Sequence, residues 1–190
     1  MPFISAKARE DAASSGSTKD GYLNPSSIKS GQKVRFTLLA EEPFMFYELW
    51  GNDVNDPQKR KPFRFLEEPT PEDISVKLGN NFVRSLSRDG KGNEPSRIAH
   101  AVPIYNYDLE RVQVFSWTQK TITQALDNIS QLEDYADSMT ECDFYLSRDG
   151  EGTDTRYTVQ AAPKKKAMAK TVDEEWDAAQ DEGFDLSRLI

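Results

Sequence analysis

The fold is decided by residues 98 to 117, which read IAHAVPIYNYDLERVQVFSW. Two runs rich in β-branched and aromatic residues flank the short polar turn Asp108-Leu109-Glu110. This pattern is typical of two antiparallel strands joined by a tight connection. The sequence therefore predicts a hairpin at the centre of a β-rich fold.

A helix and a second hairpin are predicted after this first hairpin. Thr118 is the candidate N-cap of the helix, and two strands follow at Cys142–Ser147 and Thr155–Ala161. The loop between them contains the dipeptide Asp149-Gly150, which favours a hairpin turn. The helix has one apolar stripe at i, i+3, i+4 and i+7 spacing, formed by Ile122, Ala125, Leu126, Ile129 and Leu132.

Earlier in the chain, strands are again the dominant prediction. Val34, Phe36 and Leu38 alternate with polar residues, which indicates a half-buried strand. Residues 43–50 are apolar on nearly both faces, and residues 71–78 form a short helix or an irregular crossover. The expected fold class is mainly β with one or two helices.

Charge divides the chain into three segments. We expect residues 1–30 to be a flexible arm anchored at Tyr22–Pro25, residues 31–162 to be one domain, and residues 163–190 to be a basic hinge and a disordered acidic tail. The net charge is −8, and residues 171–190 hold seven acids and one arginine, so they contribute −6 of it. The remaining chain carries only −2, which allows local basic clusters to attract anions.

The sequence argues against catalysis, metal binding and membrane insertion. A lone cysteine, Cys142, excludes an internal disulfide, and with the only histidine, His100, it forms no metal-ligand motif. No phosphate-binding glycine loop and no hydrolase nucleophile motif occur, so we expect neither an enzyme nor a cofactor. No apolar run is long enough to cross a membrane and residues 1–5 do not begin a signal peptide, so we expect a cytoplasmic protein.

Cations and aromatic rings are interleaved after the basic run at residues 59–61. Lys61, Phe63, Arg64 and Phe65 bring both types together within five residues. Single-stranded nucleic acid binds to such surfaces because bases stack on aromatic rings while cations neutralise phosphates. This segment is therefore a candidate nucleic-acid contact.

The second strand of the central hairpin offers a similar surface. If Val112 and Val114 face the core, the opposite face presents Arg111, Phe115 and Trp117. Core packing is the alternative for each ring, and the sequence leaves both interpretations open. The candidate DNA-binding residues are Lys33, Arg35, Trp50, Lys59, Arg60, Lys61, Phe63, Arg64, Phe65, Tyr105, Tyr107, Arg111, Phe115 and Trp117.

The C-terminal tail combines acids with a few large apolar side chains. Such a segment is a docking peptide for a basic, apolar groove on a partner, and its charge also allows it to compete with phosphates for the protein's own basic groove. The alternative is a tail that only improves solubility. The candidate partner-binding residues are Asp173, Glu174, Glu175, Trp176, Phe184, Leu189 and Ile190.

Three stretches, residues 97–105, 112–122 and 145–159, resemble the single-stranded DNA-binding proteins of tailed bacteriophages. In that family a strand precedes a helix with a lysine near its start. An acidic stretch, a strand, a turn containing Gly-Glu-Gly and a strand ending near a Pro-Lys run follow. This chain has these features in the same order, with the turn at residues 150–152 and the Pro-Lys run at residues 163–166.

The resemblance implies a five-stranded antiparallel OB-fold barrel with insertions that binds single-stranded DNA during phage replication, recombination and repair in the infected bacterial cell. It also implies that the acidic C-terminus contacts phage DNA polymerase, helicase/primase or recombination proteins. Some members carry a zinc subdomain, whose ligands this sequence lacks. We also expect homodimer formation or cooperative self-association. The alternative is a non-enzymatic β-rich structural or adaptor protein whose tail is its main interaction element.

Overall fold

The computed structural model describes residues 21–135 and 138–190, which form nine β-strands and three α-helices. A mainly β chain is confirmed, although the described residues contain three α-helices where one or two were expected. The strands are β1 (Tyr22–Leu23), β2 (Gln32–Leu38), β3 (Phe44–Asp53), β4 (Arg60–Phe65), β5 (Phe82–Arg84), β6 (Arg97–Asn106), β7 (Arg111–Trp117), β8 (Cys142–Asp149) and β9 (Arg156–Pro163). The helices are α1 (Pro71–Leu78), α2 (Lys120–Ser130) and α3 (Ala169–Asp181).

These elements belong to two compact units. The first contains the described residues up to Pro43 together with Ala101–Leu186, and the second contains Phe44–His100 together with Ser187–Ile190. The single domain expected over residues 31–162 therefore includes a second unit inserted within it. None of the described helices is long and apolar enough to span a membrane.

The first unit is built on an open sheet with the strand order β1-β7-β6-β2-β8-β9. Strand β2 is antiparallel to β6 and to β8, and β8 is antiparallel to β9, whereas β1 pairs with β7 in parallel. The predicted strands β6 and β7 are neighbours in this order. The expected five-stranded, all-antiparallel barrel is not what forms, because the order has two ends and one parallel pair.

One face of this sheet holds the hydrophobic core. The rings of Phe36 and Phe144 lie 5.7 Å apart, and α2 covers them with its buried Ile122 and Ile129. The predicted stripe of α2 thus packs on the sheet, but Leu132 lies beyond the helix and is 51% exposed. Thr118 is also not the N-cap, because the helix begins one residue later, after Gln119.

The N-terminal segment is attached where the sequence predicted an anchor. Leu23 is buried and is the register partner of Phe115 in the parallel pair of β1 and β7. Residues 21–30 of the expected flexible arm are therefore part of the fold. Residues 1–20 of that arm lie outside the described residues.

The acidic C-terminal segment folds as helix α3, so the expectation of a disordered tail is wrong. Val172 and Ala179 are buried, and Val172 packs in a cluster with Tyr105 and Tyr107. These two aliphatic residues are seven positions apart, which places them on one side of a helix. Burial of that side stabilises a segment whose charge alone would favour an unfolded chain.

The second unit contains a small antiparallel sheet in which β3 pairs with β4 and with β5. Its core joins Leu49 and Phe63 of the sheet to Ile74 and Leu78 of α1. Helix α1 confirms the helical interpretation of residues 71–78, because Thr70 and Asp73 form a reciprocal capping box at its start.

Candidate nucleic-acid interface

The first unit exposes a polar face on the side of its sheet opposite the core. Lys33 and Arg35 of β2 pair in register with Ser147 and Tyr145 of β8, and Tyr145 pairs with Gln160 of β9. Since alternate residues of a strand point to opposite sides, these side chains share the face that the core residues do not use. We call Lys33, Arg35, Tyr145, Ser147, Thr158 and Gln160 the open face of the first unit.

A tyrosine ring next to two cations is the main feature of the open face. The Nζ atom of Lys33 lies 4.7 Å from the centre of the half-buried Tyr145 ring, and the guanidinium carbon of Arg35 lies 5.3 Å from it. Arg35 Nη1 also donates a 3.1 Å hydrogen bond to the Tyr145 hydroxyl. Lys33 is exposed and forms no salt bridge with the described residues. The arrangement offers a ring and a free cation to one ligand.

On the same side of the sheet as the open face, a buried carboxylate holds the groups in place. Asp143 has no exposed side-chain surface, and its Oδ2 lies 2.7 Å from Arg35 Nη2. The Tyr107 hydroxyl donates to Asp143 Oδ1 at 2.9 Å, and the backbone N–H of Lys165 donates to Oδ2 at 3.1 Å. The carboxylate thus accepts hydrogen bonds from three groups, and one of them, the Arg35 guanidinium, compensates its negative charge inside the protein.

The same carboxylate shifts the protonation of its neighbours. Burial raises the pKa of the Tyr107 phenol, and the hydrogen bond to Asp143 raises it further. Burial alone would lower the pKa of Arg35, but the hydrogen bond and charge of Asp143 raise it above its ordinary value. Both shifts favour the protonated form of the side chain.

Four of the predicted stacking residues are in the core instead. Tyr105 and Phe115 have no exposed surface, Trp117 is 4% exposed and Tyr107 is 7% exposed. The face of β7 that carries Phe115 and Trp117 is the core face, and these two rings stack on each other at 4.6 Å. The exposed face predicted for β7 does not form, because Phe115 and Trp117 lie in the core and Val112, on the other face, packs against a second cluster. A buried ring has no free surface for a base, so these four are corrected to packing residues. Arg111, at the start of β7, is half-buried.

In the second unit, the strand β4 presents two different faces. Phe63 is 6% exposed and packs under α1, so its ring is also corrected to a core residue. Phe65 is half-buried beside the same cluster. Lys61 extends over this apolar group, with its Nζ 4.2 Å from the centre of the Phe82 ring. Lys77 of α1 lies 4.8 Å from the Phe65 ring, and burial lowers the pKa of its amine.

The opposite face of β4 carries two arginines that are already paired. Arg60 forms a 2.7 Å ion pair with Glu94 and lies 5.0 Å from the half-buried ring of Trp50. Arg64 forms a 3.0 Å ion pair with Glu48. The predicted cation and aromatic interleaving is present here, but two of its four cations are neutralised by acids of the same unit.

The remaining two cations of this run, Lys59 and Lys61, form no salt bridge with the described residues. Lys59 is exposed in the loop before β4, and Lys61 is half-buried. Fewer cations of this run are therefore available to an anionic ligand than the sequence suggests.

The end of the chain lies against this basic strand. Arg64 Nη1 donates a 3.3 Å hydrogen bond to the carbonyl oxygen of Leu189. A cavity of about 300 Å³ is lined there by Lys61, Pro62, Phe63, Arg64, Lys77, Leu189 and Ile190. Two of the predicted partner-binding residues, Leu189 and Ile190, therefore contact basic side chains of the chain itself.

The other predicted partner-binding residues are placed on or just after α3. Asp173, Glu174 and Glu175 are exposed. Trp176 is half-buried, and its ring meets that of Phe184 edge to face at 5.1 Å. The tail thus presents an acidic helix with an aromatic pair at its end.

Sequence reasoning missed Tyr145, Asp143 and Lys165. A signal for Tyr145 was available, because it stands between Phe144 and Leu146, and strand alternation directs it away from a core that contains both. No local signal identifies Asp143 as a buried carboxylate, since its partners lie far away in the sequence. Within the described residues, no group of three or more His, Cys, Asp or Glu side chains is suited to hold a metal ion.

Comparison with known proteins returned no family model, no curated protein and no solved structure that matches this chain.

Proposed function

We propose that this chain binds single-stranded DNA through the open face of its first unit, with little preference for base sequence. The observation that carries this proposal is the half-buried Tyr145 ring, which lies next to Lys33 and Arg35 on the solvent side of the sheet. In the complex a base takes the place of the Lys33 ammonium group over the ring, and that group contacts a phosphate instead; neither interaction reads base edges.

We propose further that the first unit is an open variant of the OB-fold. Its four antiparallel strands β6, β2, β8 and β9 and the helix packed under them support this assignment. The open face lies on β2, β8 and β9, the last three strands of the order, where a single strand crossing the sheet would meet it. The sequence resemblance to phage single-stranded DNA-binding proteins points to the same ligand.

In this proposal the acidic tail has two roles. It recruits phage replication or recombination proteins through the exposed acids of α3 and the Trp176–Phe184 pair, which together fit a basic, apolar groove. It also competes with DNA. Helix α3 packs beside Tyr107, the neighbour of Arg35, while Leu189 occupies the hydrogen-bonding capacity of Arg64 in the second unit.

The proposal is tested by titrating the full chain into a labelled oligo-dT and following fluorescence anisotropy at a low and a high salt concentration. We expect saturable binding at low salt that weakens steeply as salt rises, because counterion release contributes to affinity. A duplex of the same length is the matched ligand, and we expect it to bind more weakly because its bases are already stacked. Absence of binding to oligo-dT at low salt would contradict the proposal.

A β-rich adaptor is the second candidate function, and the folded state of the tail favours it. The Trp176–Phe184 pair and the exposed acids of α3 form a defined surface rather than a disordered peptide. An adaptor of this kind would bind no oligonucleotide at low salt, so the same titration separates the two functions.

A further inference from the structure

We propose that two copies of this chain form a two-fold dimer by pairing strand β9 with β9 of the second copy. Among the described strands, β9 is the last in the order of the first sheet and is paired on one side only, with β8. Within the described residues, no other segment forms a backbone hydrogen bond with its outer edge. An unpaired edge of eight residues presents a row of donors and acceptors that another strand can complete.

The composition of β9 leaves this edge unprotected. Natural sheets guard their edges with lysine, proline or bulges. In β9 the charged Arg156 and the imide Pro163 stand at the two ends, and the six residues between them, Tyr157–Ala162, carry no charge. The eight pairs with β8 run without a bulge, so the strand keeps a regular edge.

A pairing centred on Val159 is consistent with both faces of the sheet. A two-fold axis at Val159 places Thr158 of one copy opposite Gln160 of the other. Thr158 and Gln160 are exposed on the open face, whereas Val159 is buried on the core face. Polar residues therefore meet polar residues on one side, and the apolar Val159 side chains meet on the other.

Charge complementarity selects a second copy as the partner. The segment before β9 exposes Asp149, the last residue of β8, together with Glu151 and Asp154, and the residues immediately after β9 are Lys164–Lys166. Antiparallel pairing of two identical strands places the acidic loop of one copy beside the lysine run of the other, and the two-fold axis repeats this contact.

Two of the cations near these ends already make hydrogen bonds within their own copy. The Arg148 guanidinium, which precedes the acidic loop, donates to the backbone carbonyls of Ser26 and Ile28. Lys166 is exposed and forms no salt bridge with the described residues. Lys164 Nζ donates a hydrogen bond to the carbonyl oxygen of Thr140, and this bond keeps the Lys164 charge at the end of β9.

The dimer would join two open faces into one continuous sheet surface. In the dimer, two strands, β9 and its symmetry mate, would lie between Tyr145 of one copy and Tyr145 of the other. The proposed dimer goes beyond the proposed function and does not depend on it, because it concerns the free protein and is measured without DNA.

The test is sedimentation velocity of the full chain over a wide range of protein concentration. We expect a reversible monomer–dimer equilibrium that weakens as salt rises, because the end contacts are ionic. In the double variant Thr158→Lys/Gln160→Lys, two pairs of introduced ammonium groups lie opposite each other across the axis. We expect its dimer dissociation constant to rise by more than about tenfold.

Two further samples make the result specific to the β9 edge. Gln124→Lys/Asn128→Lys adds the same charge at exposed positions of α2, and it should dimerise as the unaltered chain does. Mixing Thr158→Lys/Gln160→Lys with Thr158→Glu/Gln160→Glu should restore a mixed dimer. A monomer at every concentration of the unaltered chain would overturn the proposal, as would equal dimerisation of the two lysine variants or failure of the mixture to associate.

Discussion

Asp143 and Arg35 form an ion pair of 2.7 Å whose carboxylate has no contact with solvent. The arginine side chain is 19% exposed, so the pair connects the interior of the first unit to its open face. Arg35 also donates to the carbonyl oxygen of Pro163 at 2.7 Å, at the end of β9. One buried carboxylate therefore sets the position of a cation on β2 and, through that cation, of the Tyr145 ring.

Replacing this carboxylate should destabilise the first unit. Asp143→Asn keeps the size of the side chain but leaves the Arg35 guanidinium without its counter-charge, and removal of one partner of a buried pair costs about 3 to 5 kcal/mol. Urea denaturation measures the loss. Asp149→Asn, at an exposed position of the same strand, should change the free energy of unfolding by less than about 0.5 kcal/mol.

The ion pair itself is tested by a double-mutant cycle. Arg35→Met should cost less in the Asp143→Asn background than in the unaltered chain, because the charge it loses has no partner there. Equal costs in both backgrounds would show that the two residues act independently.

Removing the stacking ring should weaken binding of oligo-dT. Tyr145→Leu keeps an apolar side chain of similar bulk but has no aromatic face, and stacking of one base is worth about 1 to 3 kcal/mol. We expect the dissociation constant to rise by about tenfold in the anisotropy titration. Tyr157→Leu, on the core side of β9, is the control and should leave it unchanged. Equal effects of the two variants would exclude Tyr145 as a stacking residue.

The free cation of the open face should contribute mainly to the salt dependence. Lys33→Ala removes one phosphate contact, so the slope of log K against log salt should become shallower by about 0.7. Lys29→Ala, at an exposed lysine outside the open face, is the matched control. An equal change in slope for both variants would mean that the protein attracts DNA by overall charge rather than through this face.

Neutralising the acidic helix should strengthen DNA binding. Asp173→Asn/Glu174→Gln/Glu175→Gln removes three exposed negative charges but keeps the buried Val172 in place, so the helix remains packed. We expect tighter binding of oligo-dT at low salt and a smaller difference at high salt, since the competition is electrostatic. Unchanged affinity at low salt would show that the tail does not compete with DNA.

Deleting the last four residues tests the contact between the tail and Arg64 separately from the packing of α3. This deletion removes the Leu189 carbonyl from Arg64 and leaves α3 intact. Tighter binding in this variant would show that the basic strand β4 contacts DNA. An unchanged dissociation constant would assign binding to the first unit.

Glu41 should make the loop at residues 138–141 sensitive to acid. Partial burial would raise the pKa of Glu41, but hydrogen bonds from Ser138 and Thr140 lower it overall below the ordinary value of 4.5. A carboxylate with a lowered pKa stabilises the fold above its unfolded pKa, and this stabilisation is lost as pH falls through the folded pKa.

Glu41→Gln should therefore reduce stability at neutral pH and have a smaller effect in acid. Thermal unfolding at a series of pH values below neutrality measures this difference. Glu42→Gln, at the exposed neighbouring position, should give a curve parallel to that of the unaltered chain. A difference between Glu41→Gln and the unaltered chain that stays constant down to the most acidic pH would contradict the assignment.

Strand prediction succeeded where side chains alternate and failed where a distant segment decides burial. Val34, Phe36 and Leu38 alternate with polar residues, and their half of the strand packs in the core as predicted. Phe115 and Trp117 alternate with valines just as regularly, but the segment that covers the valine side of β7 is α3, which is more than fifty residues away in sequence. Local periodicity cannot show that a strand is covered on both faces.

The sequence by itself determined the strands that flank each turn, the apolar stripe of α2 and the concentration of negative charge at the C-terminus. These properties depend on neighbours within a few residues, where the periods of strands and helices decide which side chains share a face. Only the tertiary structure decided which rings reach the surface, since it buried Phe63, Phe115 and Trp117 and left Tyr145 half-buried next to Lys33 and Arg35. Exposure of a ring depends on segments that are distant in sequence and packed against it in space. The same holds for the tail, which is helical because Val172 packs against Tyr105 and Tyr107.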